Sequence, residues 1–84
     1  MTVELLWFRG CPNADIARTR LARCIERLSF SVAVVEREGA YPSPSIVVNG
    51  RDVMGAELAT GASCRIDIPS EQQIELALLA AIPA

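Results

Sequence analysis

The chain has 84 residues, half of them apolar and about a fifth charged, with a net charge of −2, which leaves room for one globular domain over 1–84, rather than a disordered chain, and excludes a second domain. Its eight basic residues are all arginine and it has no histidine, which removes Ser-His and Cys-His catalysis and mixed His/Cys zinc sites, where imidazole is the base or ligand. No apolar run reaches the roughly 20 residues that span a bilayer, and no basic region precedes the first apolar stretch, so the expectation is a cytoplasmic protein with no membrane partner and, given its acidic balance, no nucleic-acid partner.

Thr2 to Phe8 (TVELLWF) is short and rich in large apolar residues, which predicts a central strand covered on both faces. From Pro12 to Leu28 the apolar positions Ala14, Ala17, Leu21, Cys24, Ile25 and Leu28 recur at helical spacing, and Pro12 suits the first turn of such a helix. Arg18, Arg20, Arg23 and Arg27 fall elsewhere around that cylinder, as a solvated face. Ser31 to Glu36 (SVAVVE) reads as a second strand, and strand, helix, strand in this order predicts a right-handed parallel βαβ unit.

Tyr41-Pro42-Ser43-Pro44 cannot be helical, because each proline restricts the residue before it. Ser45 to Val48 and Arg51 to Met54 flank Asn49-Gly50, a pair suited to the positive φ angles of a type I′ hairpin turn. Gly55 to Ile68 reads as loop. The last element begins at Ser70, where Ser70 and Gln73 have capping-box spacing and Ile74, Ala77, Leu78 and Ala81 form the buried stripe. The predicted fold class is therefore α/β, a βαβ-ββα order with a four-stranded mixed sheet and two helices covering it.

Three cysteines cannot all pair within one chain, which fits a reducing compartment where thiols do chemistry. Cys11 lies between Gly10 and Pro12 at the start of the helix. There the helix dipole and unpaired N–H groups favour a thiolate, and Arg9 adds positive charge. The flanking Gly and Pro suggest an exposed turn, although a small buried helix cap is the alternative. Cys24 is 13 positions on, about 20 Å along the same helix, too far for direct pairing and on the apolar stripe, so it reads as core. Strand directions return the loop containing Cys64 to the Cys11 pole, as a second thiol or as a nonreactive loop cysteine.

The order of elements, with Gly10-Cys11-Pro12-Asn13, Ser43-Pro44-Ser45-Ile46-Val47-Val48-Asn49-Gly50 and Arg51 to Leu58, resembles the thioredoxin superfamily in its short glutaredoxin-like form over nearly the whole chain. The second cysteine of a CxxC motif is replaced by Ala14, making the site monothiol. The resemblance implies a cis proline at Pro44 facing Cys11, with Pro12, Ser43, Pro44 and Gly55 contacting substrate; Met54-Gly55 stands where glutaredoxins usually have two glycines. Cys-Pro-Asn early and Ser63-Cys64-Arg65 late are also similar to small bacterial thioredoxin-fold proteins sometimes labelled alkylmercury lyase.

Three functions follow as expectations. The first is thiol-disulfide exchange with Cys11 as nucleophile and Cys64 as resolving thiol, on a low-molecular-weight thiol or a protein thiol or disulfide, with no cofactor and no metal. The second is a soft-metal or organomercurial site of Cys11 and Cys64, with Asp15 as the acid that protonates a carbon leaving group. The third is a noncatalytic binding module of the same fold.

Overall fold

The computed structural model describes residues 1–55, 61 and 63–82, and of Cys64 the backbone only. In chain order the elements are β1 (Val3–Trp7), α1 (Ala14–Glu26), β2 (Val34–Glu38), β3 (Pro42–Ser43), β4 (Ser45–Val48), β5 (Arg51–Asp52), β6 (Ser63–Cys64) and α2 (Glu71–Ala80). The main sheet has the order β2-β1-β4-β5, with β1 and β2 parallel and β4 antiparallel to both β1 and β5. This is an α/β arrangement with a four-stranded mixed sheet and two helices. A second, two-stranded parallel ladder joins β3 to β6.

Register explains which face is buried. Val3 lies opposite Val48 and Leu5 opposite Ile46, and these four form one core cluster with Ala17, Leu21 and Cys24 of α1 and Ile74 and Leu78 of α2. Because side chains alternate across a strand, Glu4 and Leu6 point the other way and are only half buried. Both helices thus pack on the same face, which corrects the expectation of a first strand covered on both faces. Glu4 marks the less buried face of β1, where Arg37 Nε donates to it at 2.6 Å.

Local signals place the turns well. Asn49 and Gly50 have φ of 50° and 80°, as a type I′ turn requires. Asn49 also exchanges hydrogen bonds with Thr2, its N–H donating to the Thr2 carbonyl and its Oδ1 accepting from the Thr2 N–H, each at 2.8 Å. The turn therefore also fastens the start of β1. At α2 the capping box is complete, with Ser70 Oγ accepting from Gln73 N and Gln73 Oε1 accepting from Ser70 N.

Several element boundaries differ from the sequence reading, three of them with a structural reason. The second strand starts at Val34 rather than Ser31, because the parallel ladder with β1 begins at the pair Val3 and Val34; a β-branched run alone does not say where pairing begins. The helix starts at Ala14 rather than Pro12, since residues 11–14 close a tight turn with Ala14 N donating to the Cys11 carbonyl at 3.3 Å. Within the expected loop from Gly55 to Ile68, Ser63 and Cys64 form β6, while 56–60 and 62 lie outside the described residues.

Arg18, Arg20 and Arg23 of α1 and Arg27 at its C-cap are not merely a solvated face. Arg18 bonds Glu36 and Asp15 and lies 5.3 Å from the centroid of Trp7, Arg20 donates to the Pro69 carbonyl, and Arg23 and Arg27 reach Glu71 and Glu75. The last group clamps α1 to α2. Arg27 hydrogen-bonded to Glu71 holds that carboxyl below its ordinary pKa. A depressed carboxylate contributes stability above its unfolded-state pKa and loses it as pH falls through the folded one. Glu71→Gln is accordingly expected to lower stability slightly at neutral pH and to converge with the parent below about pH 4, flattening the acid limb of a stability-versus-pH profile.

Cys24 is in the core, 1 % exposed, with Sγ donating to the Glu71 carbonyl at 3.2 Å. Burial pushes its thiol pKa up, against the opposing pull of Arg27. Cys24→Ala is expected to lower stability by about 1 to 2 kcal/mol in denaturant unfolding and to leave the alkylation rate of Cys11 unchanged. Loss of Cys11 reactivity in a folded variant would assign Cys24 to the site instead.

Candidate functional site

β1 ends at Trp7 and leads through Arg9 and Gly10, the latter at φ 90°, into the turn that carries Cys11. β4 runs antiparallel to β1, so its start, Ser45, lies opposite Leu6 at the same pole, and Ser43 and Pro44 come immediately before it. The Ser43–Pro44 bond is cis, as the resemblance implies. Pro44 has no N–H to give a ladder, and the chain changes partners there, from β6 before it to β1 after it.

These two segments meet. Cys11 Sγ lies 3.7 Å from the Ser43 carbonyl, as donor to it, and Cys11 is 7 % exposed. The exposed turn expected from Gly10 and Pro12 is thus corrected: Pro12 is exposed, but the sulfur beside it is turned inward against β3. The same Ser43 carbonyl accepts from Arg65 N at 2.6 Å, and Cys64 is the register partner of Ser43. The loop that the strand directions returned to this pole is therefore folded onto the segment that touches Cys11. The side chain of Cys64 lies outside the described residues.

Two neighbours that the sequence suggested do not serve the thiol. Arg9 is largely exposed and donates to Glu38 at 3.2 Å, because β2 ends beside it. Asp15 is 88 % exposed and paired with Arg18, one turn into α1 and on its outer side, which corrects its assignment as an acid beside Cys11. Gly55 follows β5, which runs parallel to β1 and so ends toward the Cys11 pole. It has φ 78° and donates to the Asp52 carbonyl at 2.9 Å, with no described atom near enough to crowd an added Cβ.

The residues that sequence reasoning missed are Asn13, Asp52 and Arg65. Asn13 is at the N-cap of α1 but makes no side-chain cap bond there; its Nδ2 donates to the Arg65 carbonyl at 3.0 Å. The Arg65 guanidinium bonds Asp52 Oδ1 at 2.8 Å and Ser45 Oγ at 3.2 Å. The pair is buried, with side chains 12 % and 2 % exposed. Burial is the strongest single influence and works against the charge on Arg65, yet the hydrogen bond and charge of Asp52 together with those of Asp67 outweigh it and its pKa is raised. The one available signal was an aspartate within a short hairpin strand, which the register places opposite Val47 on the face away from the helices. Ser43 Oγ is fully buried and finds no hydrogen-bond partner among the described residues.

A cavity of about 500 Å³ between the β4–β5 hairpin and α2 is lined by Val48, Arg51, Val53, Ala77 and Ala81 among others. It opens near the Asn49-Gly50 turn, at the other end of β4 from Ser45, and holds no described thiol. No known protein family, curated protein or solved structure matches this chain.

Proposed function

We propose that the chain is a thioredoxin-like thiol-disulfide oxidoreductase, or a related thiol-reactive protein, with a monothiol Cys11-Pro12-Asn13-Ala14 site. The observation that carries this is the meeting of Cys11 Sγ with the Ser43 carbonyl beside the Ser43–Pro44 bond, at the N-terminal pole of α1. The strand order β2-β1-β4-β5 with β4 antiparallel supports the thioredoxin-like topology, as does the placement of the thiol between the first strand and first helix.

In this reading the Cys11 thiolate attacks one sulfur of a disulfide. A Cys11–S–S–R bond forms, the original S–S bond breaks, and the departing thiolate takes up a proton. A second thiol, either Cys64 or a low-molecular-weight thiol, then attacks that mixed disulfide. Its sulfur displaces either R–S⁻ or Cys11, according to which sulfur is struck. In this reading Pro12, Ser43, Pro44 and Gly55 contact the substrate, as the resemblance implies.

The test is incubation with oxidised glutathione followed by mass spectrometry and peptide mapping. A glutathione adduct on Cys11, or a Cys11–Cys64 disulfide with two glutathiones released, is the expected result. Parallel incubation with one equivalent of Hg(II) addresses the soft-metal alternative, in which Cys11 and Cys64 hold the metal and exchange with glutathione is absent. A binding module would show neither. Absence of glutathione chemistry at Cys11 would overturn the proposed function.

A further inference from the structure

We propose that Arg65 and Asn13 are positioning residues that hold residue 64 against the Cys11 turn and so make Cys64, rather than an external thiol, the preferred partner of Cys11. The inference rests on the reading of Cys11 as a thiol nucleophile. It starts from an unusual use of one residue. Arg65 spends its N–H on the Ser43 carbonyl, its carbonyl on Asn13 Nδ2, and its guanidinium on Asp52 and Ser45. Those partners belong to β3, to the turn before α1, and to β5 and β4. One residue is thereby tied to every segment that builds the thiol site.

Fixing Arg65 fixes its neighbour. Consecutive Cα atoms are about 3.8 Å apart, so the Cys64 backbone cannot drift while the three anchors hold. Its Cα is opposite Ser43 in the β3–β6 ladder, and paired strands lie about 4.8 Å apart. Ser43 in turn contacts Cys11 Sγ at 3.7 Å. Residue 64 is thus held one strand from the segment that touches the nucleophile. Folding thus supplies much of the order needed to bring the backbone of residue 64 to the Cys11 turn, which raises the effective concentration of one residue toward the other.

The chemistry closes with a low-molecular-weight disulfide as oxidant. Cys11 attacks oxidised glutathione and releases one glutathione. Cys64 then attacks the Cys11 sulfur of the mixed disulfide and releases the second, so two protein thiols are oxidised and one glutathione disulfide is reduced. Without the anchors, an external thiol competes better for that second step, and the mixed disulfide accumulates.

The experiment equilibrates the full chain in glutathione redox buffers, quenches with acid and quantifies the Cys11–Cys64 disulfide by peptide mapping, which gives the effective concentration of the pair. Asn13→Ala is expected to lower it about fivefold, the worth of one hydrogen bond, and Arg65→Lys about tenfold, since lysine keeps a cation for Asp52 but not the rigid planar guanidinium whose Nη1 serves both Asp52 and Ser45. A purely structural role would change the melting temperature but not this equilibrium within folded protein. Asn13→Ala leaves the Asp52–Arg65 pair in place and decides the question if Arg65→Lys does not fold. The proposal is overturned if Asn13→Ala matches the parent, or if the parent forms only the glutathione adduct, a result that leaves the monothiol reading standing. If Cys11 does not react with glutathione at all, the proposed function fails and this inference with it.

Discussion

Cys11→Ser is expected to reduce disulfide exchange by at least about a thousandfold, to the background of the remaining thiols, while the fold persists. The chemistry requires a thiolate, and a serine hydroxyl neither ionises near neutral pH nor forms a sulfur–sulfur bond. The exchanged atom is nearly fully buried against the Ser43 carbonyl, a polar neighbour that can accept from the new hydroxyl. The change should therefore cost only about 1 kcal/mol of stability. Rates of mixed-disulfide formation with oxidised glutathione, alongside circular dichroism, separate the two effects. Full activity in the variant would move the reactive thiol elsewhere.

The second large effect concerns stability. Removing either member of the Asp52–Arg65 pair leaves a buried charge without its partner, which typically costs about 3 to 5 kcal/mol. Asp52 is the more severe case, being 2 % exposed at its side chain and accepting from Met54 N at 2.8 Å as well as from Arg65. For a domain of this size each kcal/mol lowers the melting temperature by roughly 4 to 8 °C. Arg65→Met and Asp52→Leu are thus each expected to be unfolded or nearly so at 37 °C, and the double variant to recover much of the loss, because an apolar pair carries no desolvation cost. Thermal melts of the three variants measure this. A double variant as unstable as the singles would show that the other hydrogen bonds of Asp52, rather than the ion pair, carry the stability.

What the sequence made legible was what local chemistry decides. Asn49-Gly50 dictates its turn through φ angles that few other pairs adopt, the Ser70 to Gln73 box closes within four residues, and Cys24 sits on a stripe whose spacing leaves it nowhere but the core. The parts that were not legible depend on partners distant in sequence. Two-residue strands such as β3 and β6 have no periodicity to read, and their pairing is fixed by Arg65, 13 residues from Asp52 and 52 from Asn13. Asn13 looks like an ordinary cap, and only the presence of a carbonyl from another segment shows why its side chain goes elsewhere. The inward turn of Cys11 was hidden for the same reason, since its contact is with Ser43, 32 positions away.

The balance at Cys11 is between two opposed influences. Burial and the contact with the Ser43 carbonyl favour the neutral thiol, whereas the N-terminal pole of α1 favours the thiolate. A nucleophile needs the second to prevail once substrate approaches. The pH dependence of Cys11 alkylation, measured in a chain carrying Cys24→Ala and Cys64→Ser, reads that balance directly. A midpoint well below about 8.5, the value of an ordinary free cysteine, with reactivity retained at neutral pH, is expected; a midpoint at or above that value would contradict a reactive Cys11.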